Sequence, residues 1–259
     1  MTFQDILYEK RDGVARITLN RPAKLNAFTA VTLGELIDAF HDAALDRTVG
    51  VVVLTGAGDR AFCVGGDISW EEEGGLERTY DRFPDIHNAM RHCLKPIIAR
   101  INGYAIGGGN HLAYFCDLSI AAEHARFGQN GPRVGSPADV HLVSYAVRVV
   151  GAKKAREMWY LCRQYTAQQA LAMGLVNAVV TMADLDREVD QWCQEILDKS
   201  PTCLKVLKAT FEREADLIRD HPFAMQRLIA PDYFQTDEPK EGVRAFVEKR
   251  QPNFRQFRR

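Results

Sequence analysis

Short apolar runs closed by glycine constrain this chain more than any other feature. Gly50-Val-Val-Val-Leu54 has no polar residue and is stopped by Thr55-Gly56-Ala57-Gly58, the pattern of a strand buried on both faces. Pro96-Ile-Ile-Ala-Arg-Ile101 and Asp117-Leu-Ser-Ile-Ala-Ala122 repeat it. A strand of this kind needs cover on two sides, and a helical pattern with Leu33, Leu36, Ile37, Phe40 and Ala44 on one face precedes the first run. Strands alternating with helices predict βαβ units and an α/β fold. Near the start, residues 6–10 and 14–19 flank Arg11-Asp12-Gly13 and predict a β-hairpin, because Asp-Gly suits the positive φ of a tight turn. Beyond residue 135 the periodicity is mainly helical, over 146–175 and from 183 onward, with one apolar run at 176–180. No linker, repeat or low-complexity stretch divides the 259 residues. An N-terminal α/β core with a C-terminal helical portion is the expected organisation.

Composition narrows the class of function. Lys+Arg number 33 against 34 Asp+Glu, so no overall field favours nucleic acid. A basic bias is confined to 244–259, where Arg255, Arg258 and Arg259 read as a solvated tail. Cys63, Cys93, Cys116, Cys162, Cys193 and Cys203 are irregularly spaced with no C-x-x-C pair, which argues against a zinc site and against a disulfide scaffold, and no metal is expected. The first ten residues carry charge where a secretory signal is apolar, and no run approaches the ~18 apolar residues that span a bilayer. The expectation is a cytoplasmic protein with reduced thiols and neither membrane nor nucleic-acid partners.

Two glycine-dense turns are the candidate site. One is Ala61-Phe-Cys-Val-Gly-Gly-Asp-Ile68; the other is Asn102-Gly-Tyr-Ala-Ile-Gly-Gly-Gly-Asn-His-Leu112, which leads into an apolar helix over 112–116. Consecutive glycines leave backbone N–H groups unobstructed, and a helix N-terminus adds its dipole. Brought together, such turns can aim two donors at one oxygen, an oxyanion hole; taken singly, each is only a tight turn. A Rossmann site does not fit, since Gly107-Gly108-Gly109 lacks the G-x-G-x-x-G spacing.

The two turns, followed by Cys116-Asp117 and Phe127-Gly128, resemble the enoyl-CoA hydratase/isomerase (crotonase) superfamily. The resemblance runs nearly end to end, through Asn20-Arg-Pro22, Asn26-Ala27, Gly174-Leu-Val-Asn177, Glu241-Gly242 and Phe246-Val-Glu-Lys-Arg250. It implies a spiral core of ββα turns, here 1–195, and a C-terminal helical region, 196–259, that mediates homotrimers, often paired as homohexamers. It further implies an acyl-CoA thioester as substrate, with no permanently bound cofactor. The thioester carbonyl would lie between the N–H groups of Gly66 and Gly108. Asp67 and Ile68 then fall in the substrate loop, and Arg21, Lys24, Phe246 and Lys249 match positions that contact CoA, where cations suit phosphates.

Within the superfamily, Gly128-Gln-Asn-Gly-Pro-Arg-Val-Gly-Ser136 and residues 153–165 look most like the 1,4-dihydroxy-2-naphthoyl-CoA synthase and 2-ketocyclohexanecarboxyl-CoA hydrolase subgroup. Hydratases place water-handling carboxylates where this chain has His111 and Gly131, so simple hydration loses its expected acid and base. Gly131 matches the subgroup, and in some of those synthases the glycine leaves room for bicarbonate as base. The subgroup's aspartate position holds Ala138, with Asp139 one residue late; on a helix that shift turns a side chain by about 100°. Its tyrosine position holds Phe234, which has no proton to donate, beside Tyr233.

His111 stands as a titratable substitute or as a core histidine. Asp139 can pair with His141 or cap the following helix, and Ser136 can bond substrate or cap. Trp70-Glu-Glu-Glu-Gly-Gly75 reads either as a lid, with Trp70 and Tyr80 lining an acyl pocket, or as a solvated acidic loop. The leading expectation is carbon–carbon cleavage or formation beside the thioester of a cyclic β-keto acyl-CoA, through an enolate. Hydratase or isomerase chemistry with altered acid/base residues is the alternative, and a non-catalytic CoA-thioester binder is the reading from a different class.

Overall fold

The computed structural model describes residues 2–72, 74–75, 83–138, 140–219 and 229–257. Strands β1 (Ile6–Arg11) and β2 (Val14–Leu19) form the expected hairpin; Arg11 completes the first strand, and the turn is Asp12-Gly13 alone, at φ 50° and 84°. Helix α1 (Ala30–Leu45) follows and buries Leu33, Leu36, Ala39 and Phe40.

The chain then repeats one unit. A strand of a long sheet is followed by a short strand of a second sheet and then by a helix. The pairs are β3 (Val51–Gly56) with β4 (Ala61–Cys63), β5 (Ile97–Ile101) with β6 (Tyr104–Ile106), and β7 (Leu118–Ala122) with β8 (Arg126–Gly128). Helices α2 (Ile68–Glu72) and α3 (Phe83–His92) close the first unit, α4 (Gly108–Phe115) the second and α5 (Gly131–Val134) the third. Next come α6 (Val140–Val150), α7 (Ala152–Leu161), β9 (Gln164–Thr166), α8 (Ala167–Ala172), β10 (Ala178–Val180), α9 (Leu185–Leu197), α10 (Pro201–Arg219) and α11 (Asp237–Val247). This is the ββα spiral with a helical C-terminal region.

The six-stranded sheet runs β1-β2-β3-β5-β7-β10, parallel except for the hairpin. Its apolar runs are buried on both faces because successive residues point to opposite sides. Val52 and Leu54 enter the main core with Phe40, Ile97 and Ile101, while Val51, Val53, Ile98 and Ile120 pack under Leu185, Val189 and Cys193 of α9. Arg100, the one charge in β3, β5 and β7, is held by Asp186 of α9 through two 2.8 Å bonds.

The second sheet, β4-β6-β8-β9, has only three-residue strands, the last antiparallel. Residues 146–175 are mainly helical as the periodicity predicts, and β9 interrupts them: Tyr165 is buried against β8 in extended backbone. The helix expected at 112–116 begins four residues earlier, at Gly108. All six cysteines are free. Among the described residues no helix is long and apolar enough to cross a membrane.

Candidate active site

Strands β4, β6 and β8 are mutually parallel, so their C-terminal ends share one edge of the short sheet. β4 runs into Val64-Gly65-Gly66, β6 into Gly107-Gly108, and β8 into Gln129-Asn130-Gly131. Two buried asparagines fix the approach to the first turn. The Asn26 amide donates to the carbonyls of Ala57 (3.0 Å) and Ala61 (2.8 Å). Asn102 donates to those of Gly56 (2.8 Å), Gly58 (2.6 Å) and Ala61 (3.2 Å). The Asn residues of both sequence motifs therefore clamp one segment, which ties the two glycine turns together.

The turns meet. A Cβ added to Gly65 would lie 3.2 Å from the Gly108 nitrogen, and one added to Gly108 would lie 2.5 Å from Cζ of Phe28. Only glycine lets the backbones come this close. Phe28 donates its N–H to the Gly65 carbonyl and accepts from the Asp67 N–H, both at 2.9 Å. That parallel bridge at Gly66 leaves Gly66's own N–H on the opposite side. Gly108 is the first residue of α4, where an N–H has no partner within the helix. The Gly66 N–H thus faces away from Phe28, and the Gly108 N–H opens the N-terminus of α4.

Arg21 and Asp67, expected at the CoA end, are brought together: the guanidinium donates to Asp67 at 2.8 Å. Burial resists ionisation of Asp67, but Arg21 wins and holds its carboxyl below the usual range. Arg21 therefore braces the first glycine turn against β2. Lys24 is exposed on the turn before α1, and Phe246 and Lys249 are exposed together at the end of α11. Ile68 begins α2.

Gly131 starts α5; a Cβ there would lie 2.5 Å from the Ser136 carbonyl oxygen, so the local backbone already requires glycine. Ser136 lines a cavity of about 410 Å³, with Glu71, Val134, Phe234, Lys240, Val243 and Arg244 among its walls. Helix α11 closes it from one side, close-packed through Gly242 on Val134 and Gly135 on Pro239. The Tyr233 hydroxyl donates to the Gly135 carbonyl at 2.9 Å, and Phe234 lies on the wall. His111 is buried, its ring stacked on Trp159 (centroids 5.6 Å) and tilted against Tyr114 (5.5 Å). Asp139, Tyr80, Arg258 and Arg259 lie outside the described residues, as does the side chain of His141.

Glu71 is a residue that motif reasoning missed. It sits on α2, five residues past Gly66, and folds back so that a Cβ on Gly66 would overlap its carboxylate. Burial, then the nearby Asp67 charge, push this carboxyl up to about 7. The signal in the sequence was the run Trp70-Glu71-Glu72-Glu73, in which the helical turn of α2 sends Glu71 inward.

The fold has close parallels among known proteins. Residues 9–258 match the family model described as enoyl-CoA hydratase/isomerase. An enoyl-CoA hydratase from Mycobacterium avium subsp. paratuberculosis K-10 superposes with TM-score 0.87 at 28% identity, covering 98% of this chain and 99% of that one. A methylmalonyl-CoA decarboxylase in complex with 2-nitronate-propionyl-CoA gives 0.86 at 27%, with the same coverage. A monofunctional enoyl CoA isomerase from M. smegmatis gives 0.72 at 32%, covering 82% and 94%. With one model spanning nearly every residue from β1 to the tail, and both glycine turns joined at one edge of a ββα spiral, the chain belongs to the enoyl-CoA hydratase/isomerase family.

Proposed function

We propose that this protein is an acyl-CoA enzyme that holds the thioester oxygen on the N–H groups of Gly66 and Gly108 while negative charge develops there, so that an enolate forms at the α-carbon. The observation that carries this reading is the contact of the two glycine turns, whose donors no neighbouring strand uses. Lys24 and Lys249 are the cations offered to the CoA phosphates, since Arg21 is neutralised by Asp67.

Two finer reactions share the enolate. Cleavage or formation of the carbon–carbon bond beside the thioester of a cyclic β-keto acyl-CoA is supported by the Gly128–Ser136 segment and by the apolar cavity walls, Val134, Phe234 and Val243. Double-bond isomerisation is supported by Glu71, because moving a proton between two carbons needs one carboxylate, whereas water addition in this family employs two. Incubation with 2-ketocyclohexanecarboxyl-CoA gives pimeloyl-CoA if ring opening is right, and a 3-enoyl-CoA gives its 2-enoyl isomer if isomerisation is right. Parallel assays with and without bicarbonate test that base. Rapid hydration of crotonyl-CoA would move the assignment to a hydratase, and acetoacetyl-CoA binding without turnover of any of these to a non-catalytic binder. We also propose a homotrimer or homohexamer, supported by exposed Val206, Leu207 and Phe211 on α10; light scattering should give three or six times the 29.1 kDa chain mass.

A further inference from the structure

The resemblance places the family's carboxylates at positions 111 and 131, where this chain has an aromatic-packed histidine and a glycine fixed by backbone contact. We infer that Glu71 carries the α-proton instead, supplied by the helix that follows the first glycine turn. This rests on the enolate reading above.

Three placements support it. The Glu71 carboxylate lies over the α-carbon of Gly66, the residue whose N–H is offered to the thioester oxygen. In an acyl thioester the α-carbon is bonded to the carbonyl carbon, so a group beside the oxyanion donor is beside the carbon that must lose a proton. Glu71 also lines the cavity that would receive the acyl chain, together with Ser136 and Phe234. Finally, it has no ion-pair partner among the described residues, whereas Asp67, in the same loop, is committed to Arg21.

The charged groups that face it are Asp67 from its own loop and Lys240, Arg244 and Glu248 on the cavity wall at and just beyond α11. Burial, with the Asp67 charge acting in the same direction, raises the carboxyl to about 7, where a base that must also return its proton works best. In the step, a Glu71 oxygen forms a bond to the α-hydrogen as the C–H bond breaks. The electron pair moves into the bond between the α-carbon and the carbonyl carbon, and the thioester oxygen takes the charge between Gly66 and Gly108. The carboxylic acid then returns the proton to carbon.

The test is deuterium incorporation at the α-carbon of butanoyl-CoA in D₂O, followed by mass spectrometry, with acetoacetyl-CoA binding measured on each protein. Glu71→Gln should lower exchange at least 100-fold while acetoacetyl-CoA affinity stays within a few-fold, which also certifies the fold. The parent's exchange rate should rise with pH and level off above about pH 7; Glu71→Asp should keep part of the rate. Exchange unchanged in Glu71→Gln, a flat pH profile, or exchange lost in His111→Phe but kept in Glu71→Gln each overturns the assignment. A parent that binds acetoacetyl-CoA but exchanges no proton overturns Glu71 and leaves the oxyanion reading standing. A parent that does not bind it overturns both.

Discussion

In the six-stranded sheet, β3, β5 and β7 are five or six residues long, apolar on both faces and sealed by α1 on one side and α9 on the other. In the four-stranded sheet, β4, β6 and β8 are three residues each, and every one opens directly into a loop of the candidate site. The units are the same, so the difference lies in the segment into which each strand delivers the chain. A long strand ends in a turn that returns the chain. A short one opens into a glycine-containing loop of the candidate site. One sheet accumulates burial, and the other uses few residues to point loop ends along a common edge, as parallel sheets do at their carboxyl ends.

This division should separate stability from turnover. Leu54 in the long sheet is fully buried. Leu54→Ala should cost about 2–5 kcal/mol in urea unfolding, the usual range for emptying such a site, while the folded fraction keeps its turnover. A loss below about 1 kcal/mol, or a turnover defect without one, would break the comparison from the long-sheet side.

From the other side, Gly108→Ala puts a methyl 2.5 Å from the Phe28 ring, an overlap that forces the ring or the glycine turn to shift. Displacing one oxyanion donor should lower kcat by about 10²–10³-fold, or roughly 2.7–4 kcal/mol of transition-state stabilisation. The stability loss should be smaller, ~1–3 kcal/mol. Equal kcat in parent and variant would remove Gly108 from the hole.

The same contrast explains what could be read from sequence. Gly50-Val-Val-Val-Leu54 declares itself because burial on both faces excludes polar residues for a whole strand. Ala61-Phe-Cys63 and Gln164-Tyr-Thr166 are too short for any period to show, and their extended form comes from neighbours far away in the chain. The glycine turns were legible because close backbone approach admits no other residue. Glu71 was not: three adjacent glutamates look alike until α2 decides which one faces Gly66. His111 was legible as an unusual residue, but its stacking on Trp159 depends on α7, some 50 residues later.

Glu71 also ties the site to stability with a definite sign. Its carboxyl ionises near 4.5 in an unfolded chain and near 7 when folded. Between those values the unfolded chain has released the proton and the folded chain retains it. Stability is therefore full below about pH 4.5 and falls as pH rises through 7, by ~3 kcal/mol in all. Glu71→Gln removes this term, so the variant should be more stable than the parent at pH 8 and nearly equal to it near pH 4.5. Urea midpoints that run parallel across that range would refute the burial of Glu71.

The smallest expected effect falls on the one strand of the short sheet that feeds no site loop. β9 is antiparallel to β8, so its C-terminal end lies at the edge away from Gly66 and Gly108. There Thr166 caps α8: its hydroxyl accepts from the Gln169 N–H at 3.2 Å, and the Gln169 side chain accepts in return from the Thr166 N–H at 2.9 Å. Thr166→Ala should cost about 1 kcal/mol of stability, the usual value of such a cap, with kcat and KM unchanged. A turnover defect here would mean that the short sheet transmits strain along its width, and that strand direction does not decide which of its residues serve the chemistry.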